Sequence, residues 1–134
     1  MLRTIDNENF KPGQVWKYHT RPYEDGSTLT IVRTEMDDRL GSIIHIHVDG
    51  VRVKAPMHKT GLITEIGHLP CAEEVISQSV TEIVRDNAPL QEFMEGYQQW
   101  RDAFDAGKAG IWTVPVAEMV SALESIIDSQ QTEE

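Results

Sequence analysis

The sequence predicts an α+β domain: an N-terminal antiparallel sheet of four to five strands in a meander, followed by three C-terminal helices packed on one face of that sheet. Three observations lead there. Residues 14–70 alternate apolar and polar side chains at period two and are rich in β-branched residues. Residues 71–128 repeat apolar side chains at i, i+3, i+4 and i+7. Pro-Gly and Asp-Gly pairs punctuate the first half where turns would fall.

Pro12-Gly13 opens a first strand over 14–21, with Trp16, Tyr18 and Thr20 on one face and Lys17, His19 and Arg21 on the other. The PYEDG run is turn chemistry. A second strand follows over 27–35, with Leu29 and Ile31 facing one way. The third covers 42–48, with Ile44, Ile46 and Val48 on one face and Ile43, His45 and His47 on the other. Asp49-Gly50 reads as a two-residue hairpin turn into a fourth strand over 51–54, where Val51 and Val53 continue the apolar face and Arg52 and Lys54 the polar one. Residues 62–66 form a short fifth strand, closed by Gly67-His68-Leu69-Pro70.

The first helix is expected over 72–85, with Glu73 and Glu74 in the first turn, where the helix dipole favours them. The second covers 89–106, with Pro89 in its first turn and Gly107 as its stop. The third starts near Pro115 and carries the stripe Val116, Met119, Val120, Leu123, Ile126 and Ile127. The whole chain, 1–134, reads as a single domain with frayed ends at 1–10 and 129–134. Trp16, Tyr18, Phe93 and Phe104 are expected in the core.

Composition excludes several classes. At 40% hydrophobic and 25% charged residues the chain belongs with globular domains and not with disordered ones. No apolar stretch is long enough to span a bilayer, so no membrane partner is expected. The first twenty residues lack the apolar segment and cleavage site of a secretory signal. With one cysteine, Cys71, the chain cannot form an internal disulfide or a thiolate zinc cluster. The expected location is the cytoplasm. Residues 1–70 hold nine acidic and nine basic side chains, and residues 71–134 hold thirteen and three. The entire negative excess therefore sits in the helical half, which argues against direct nucleic-acid binding.

With the helices on the apolar face, the other sheet face would be solvated and basic. It is the candidate binding face: Lys17, His19, Arg21, His45, His47, Arg52 and Lys54. On it, His45 and His47 lie two apart on a strand, about 6.6 Å between Cα atoms. Together with His19 they form a candidate metal set, for which His58, His68, Glu65 or Asp49 could also supply a ligand. On a solvated face, replacing His45 and His47 by Ala would change stability by less than about 0.5 kcal/mol. Cys71 at a helix start with His68 nearby is a candidate nucleophile pair. Trp100 and Trp112 are candidate protein-contact anchors. No Walker A loop, GxGxxG, HExxH or GxSxG motif occurs, and no cofactor is expected. The expected function is a small protein-interaction or regulatory domain of inhibitor or immunity-like type, without catalysis. Its partner is a protein, self-association included. The alternatives are a metal-binding or metal-assisted hydrolytic domain using the strand histidines, and an acidic mimic of nucleic acid.

Overall fold

The computed structural model describes residues 2–132, with side chains described through Ser129. Strands β1 (Arg3–Thr4), β2 (Val15–Tyr18), β3 (Thr28–Asp37), β4 (Gly41–Lys54) and β5 (Leu62–Ala72) are followed by helix α1 (Glu73–Ser79), strand β6 (Val80–Arg85), and helices α2 (Met94–Asp105) and α3 (Val116–Thr132). The sheet is antiparallel in the order β5-β4-β3-β2-β6, with β1 beside the far end of β3. β2 to β5 form the expected meander. The α+β class, with an antiparallel sheet and three C-terminal helices, is what the chain adopts.

One sheet face packs as expected. Leu29, Ile31, Ile44, Ile46, Val48, Val51 and Val53 form a core with Val75 and Ile76 of α1 and Val116, Met119 and Val120 of α3. Trp16 and Trp112 are half-buried against the same core. The expectation that all three helices share this face is corrected by α2. Its Tyr97 and Trp100 pack edge-to-face against His45, on the opposite face. The sheet is sandwiched, not one-sided.

The first helix is also shorter than its periodicity suggests. Ser79 ends α1: its hydroxyl donates to the Val75 carbonyl (2.7 Å) and accepts the Val116 N–H (3.1 Å) at the start of α3. The β-branched run Val80, Thr81, Ile83, Val84 then extends and pairs with the open edge of β2. The start of the chain is pinned, not frayed. β1 pairs with β3, Leu2 and Phe10 are buried, and the Asn7 side chain reaches Ser42 and Glu73. At the other end α3 continues to Thr132. Residues 1, 133 and 134 of the expected frayed ends lie outside the described residues.

Three irregularities in the ladders on either side of β4 decide which side chains meet at the polar face. Between Ile31↔Ile46 and Arg33↔His45, β3 carries the extra residue Val32. Between Ile46↔Leu69 and Val48↔Ile66, Gly67 and His68 of β5 stand against His47 alone. Between Asp49↔Glu65 and Val53↔Ile63, β4 carries two extra residues around Gly50. A bulge reverses the side-chain alternation beyond it. Leu29 and Ile31 therefore face the core, while Arg33 and Glu35 lie across from His45 and Ile43 on the other face. The third bulge returns Val51 and Val53 to the core. Asp49-Gly50 is thus a bulge inside one long strand and not the expected hairpin, and 67–70 lies within β5 and does not close it.

Gly50 has φ of 81°, and a Cβ there would lie 3.0 Å from the Ser27 Cα. Gly41 has φ of 82° but open space around it. Gly41→Ala should cost about 1–2 kcal/mol from the left-handed backbone alone. Gly50→Ala should cost clearly more in urea unfolding, because the backbone at Ser27 must also give way.

Candidate functional site

The polar face beneath α2 is the densest chemical cluster among the described residues. Glu35 is fully buried there. Its Oε1 accepts from His45 Nε2 at 2.6 Å, and its Oε2 accepts from the Tyr97 hydroxyl at 2.6 Å and from Arg33 Nε at 3.1 Å. Arg101 lies 3.6 Å away and donates to the Tyr97 oxygen at 3.0 Å. The Arg33 guanidinium sits 4.7 Å over the Tyr97 ring. Burial pushes the Glu35 carboxyl up, but the donors from His45, Tyr97 and Arg33 outweigh it and hold the group at about 2.

The network continues outward. His45 Nδ1 lies 2.8 Å from His68 Nε2, with the two rings stacked. Burial lowers both imidazoles against protonation, His68 to about 4. With both rings neutral, the hydrogen bonds dictate the tautomers. His45 Nε2–H donates to Glu35, so its Nδ1 accepts from His68 Nε2–H. His68 Nδ1 is then a bare acceptor. His68 lines an open cleft of about 530 Å³ with Gly67, Glu92, Phe93, Glu95, Gly96 and Gln99. The bulge at Gly67-His68 brings this side chain to the same face as His45.

A second cluster lies further along the same face. His47 Nε2 is 3.2 Å from Asp49 Oδ1 and 3.3 Å from Glu65 Oε2, and His47 Nδ1 is 3.3 Å from the Gly67 carbonyl. A third lies where β4 ends. Arg21 donates to Glu24 at 2.8 and 3.0 Å and to Glu124 of α3 at 3.0 Å. Arg52 and Lys54 line the same cavity of about 410 Å³.

The candidate binding face therefore does not exist as one surface. His45 and His47 are sealed beneath neighbouring side chains, at 0% and 2% exposure. Lys17 is exposed and pairs with Glu82 of β6. His19 is exposed just past β2, where its N–H donates to the Ser79 carbonyl. Arg21, Arg52 and Lys54 gather at the β4 end. The candidate metal set of His45, His47 and His19 is corrected in the same way. His45 spends both ring nitrogens on Glu35 and His68, and the metal-compatible group among the described residues is His47, Asp49 and Glu65. The reading of Trp100 and Trp112 as exposed anchors is also corrected. Trp100 packs on His45, His68 and Phe104 and donates to the Gly110 carbonyl at 2.7 Å. Trp112 lies against the core beside the edge of β5. Cys71 is buried against Met119, and burial pushes its thiol far up, so it is no nucleophile.

Glu35, Arg33, Tyr97 and Arg101 escape a reading of the sequence because strict alternation puts Leu29, Ile31, Arg33 and Glu35 on one face. The usable signal is that conflict itself. Two aliphatics and two charges at one parity demand a bulge between them.

Glu35→Ala should cost about 3–5 kcal/mol in denaturant unfolding, since it leaves His45 and Tyr97 buried without their acceptor and half-buried Arg33 without its carboxylate. The expectation of less than about 0.5 kcal/mol for replacing His45 and His47 by Ala is likewise replaced by a loss of several kcal/mol, since both are buried. Acid should act in two stages. The unfolded chain protonates His68 near 6.5 and the folded one only at about 4, so stability falls as pH drops through that window. Glu35, depressed from 4.5 to about 2, extends the loss below pH 4.5. His68→Gln should reduce the upper stage, to which buried His45 also contributes, in a pH series of melting curves and leave the lower one. No family model, curated protein or solved structure matches this chain, so its site is read on its own geometry.

Proposed function

We propose that this chain is a protein-interaction domain of regulatory or inhibitor type, which masks a basic surface of a partner with the outer side of α2 and the cleft beside it. One observation carries the reading. Arg101, the only basic residue in α2, turns inward to Tyr97 and Glu35 and also holds Asp105 at 3.2 Å. Glu95 and Asp102 of α2, and Glu92 just before it, are left exposed with no other cation in the helix to neutralise them. Leu90 and Met94, 44% and 46% exposed, add apolar contact beside the carboxylates.

Magnitude decides the sign of the partner. Arg52 and Lys54 are two cations on a chain of net charge −10, so an acidic partner would be repelled overall. A basic one is steered in. The cleft supports the same polarity: Glu92 and Glu95 line it, and the bare His68 Nδ1 can accept an N–H from an inserted Lys or Arg. The exposed carboxylates are interrupted by Gln98, Gln99 and Met94, which lacks the continuous double row of charge a nucleic-acid mimic would present.

A display library of random peptides tests this. The chain should enrich sequences with Lys or Arg beside an apolar residue. Their affinity should fall at least about 10-fold in a Glu92→Lys, Glu95→Lys variant of unchanged melting temperature, and fall steeply as salt rises. Enrichment without basic residues, or equal binding by the variant, would count against the proposal.

A further inference from the structure

We infer that His47, Asp49 and Glu65 form a binding site for a divalent first-row cation of the Zn²⁺ or Mn²⁺ class, independent of the α2 surface. The argument begins in the ladder. Asp49 and Glu65 are direct cross-strand partners, and like charges at that position destabilise a sheet. Between them projects His47, whose side chain is only 3% exposed. Its Nδ1 faces the Gly67 carbonyl, so the proton of a neutral ring belongs on Nδ1. The Nε2 lone pair then points at two carboxylate oxygens, and three acceptors converge with no donor among them.

A cation resolves that arrangement, and the spacing suits one. Bonds of about 2.0–2.1 Å in a tetrahedral site place neighbouring ligand atoms roughly 3.3 Å apart. The observed separations from His47 Nε2 are 3.2 Å and 3.3 Å, and all three ligand atoms lie within 4.8 Å of one another. One imidazole and two carboxylates suit Zn²⁺, Mn²⁺ or Fe²⁺. The backbone carbonyl behind Nδ1 is the outer partner that fixes the ring of a metal-binding histidine. The Asp49 and Glu65 side chains are 45% and 61% exposed, so the remaining coordination positions open to water. Bulges on both sides of this stretch set the geometry. The Gly67-His68 bulge aims Glu65 at the His47 side, and the Gly50 bulge breaks the regular pairing just beyond Asp49.

The competing occupant is a second proton, making an imidazolium clamp. Calorimetry and nitrogen-detected NMR on the untagged full chain, with Zn²⁺, Mn²⁺ and Co²⁺ as probes, separate the two. The site requires one saturable equivalent of at least one of these ions and a shift of the His47 Nε2 resonance as it binds. It also requires a loss of affinity of at least about 10-fold in Glu65→Gln, which alters an exposed side chain and leaves folding intact. A His47 ring protonated on both nitrogens and unmoved by any of the three ions would overturn it. So would binding that Glu65→Gln leaves unchanged.

Discussion

The buried carboxylate of Glu35 is the constraint on which the polar half of this protein depends. Removing a carboxylate from water costs several kcal/mol unless donors surround it. Here the donors come from three elements: Arg33 beside it on β3, His45 across on β4, and Tyr97 from α2. Because Tyr97 must reach Glu35, α2 cannot join the other helices on the apolar face. Because Arg101 follows Tyr97 by one turn, it is drawn to the same point. The outward side of α2 is left acidic as a consequence, and His68 receives its tautomer through His45. Surface charge and cleft chemistry both trace back to one buried group.

The bulges make that group possible. A regular β3 would place Glu35 on the side of Leu29 and Ile31, inside the aliphatic core, where no donor waits. The extra residue Val32 turns it to the side of His45. The bulge at Gly67-His68 does the same on β5, so Glu65 and His68, three residues apart, reach His47 and His45 on a common face. Two local departures from period-two order assemble ionisable groups from three strands into one layer.

Much of the scaffold is legible in the amino-acid order. Period-two alternation over 42–48 correctly sends Ile44, Ile46 and Val48 to the core, because an aliphatic stripe has no other place to go. The stripe Val116, Met119 and Val120 likewise identifies α3 and its buried side. What alternation cannot convey is the fate of the opposite face. His45 looks like a solvated residue because its cover, Tyr97 and Trp100, comes from a helix fifty residues further on, and His47 does because its partners, Glu65 and the Gly67 carbonyl, come from another strand. Residues 80–85 satisfy a helical period as well as a strand, and the open edge of β2 decides between them. The hairpin suggested by Asp49-Gly50 fails for a related reason. A glycine at positive φ serves a bulge as readily as a turn, and only the ladder beyond it tells the two apart.

A sandwiched sheet with an aliphatic layer beneath and an ionic layer above divides its work. The aliphatic side supplies the packing; the ionic side holds α2, shapes the cleft at His68 and carries the His47 cluster. The most direct test of this division is nitrogen-detected NMR of the histidine rings across pH 5 to 8. A buried Glu35–His45–His68 chain requires a His45 proton on Nε2 that exchanges slowly with water, and a ring that is harder to protonate than a free imidazole. A His45 resonance that titrates with a midpoint near 6.5, like a free imidazole in water, would contradict the buried network and the placement of α2 with it.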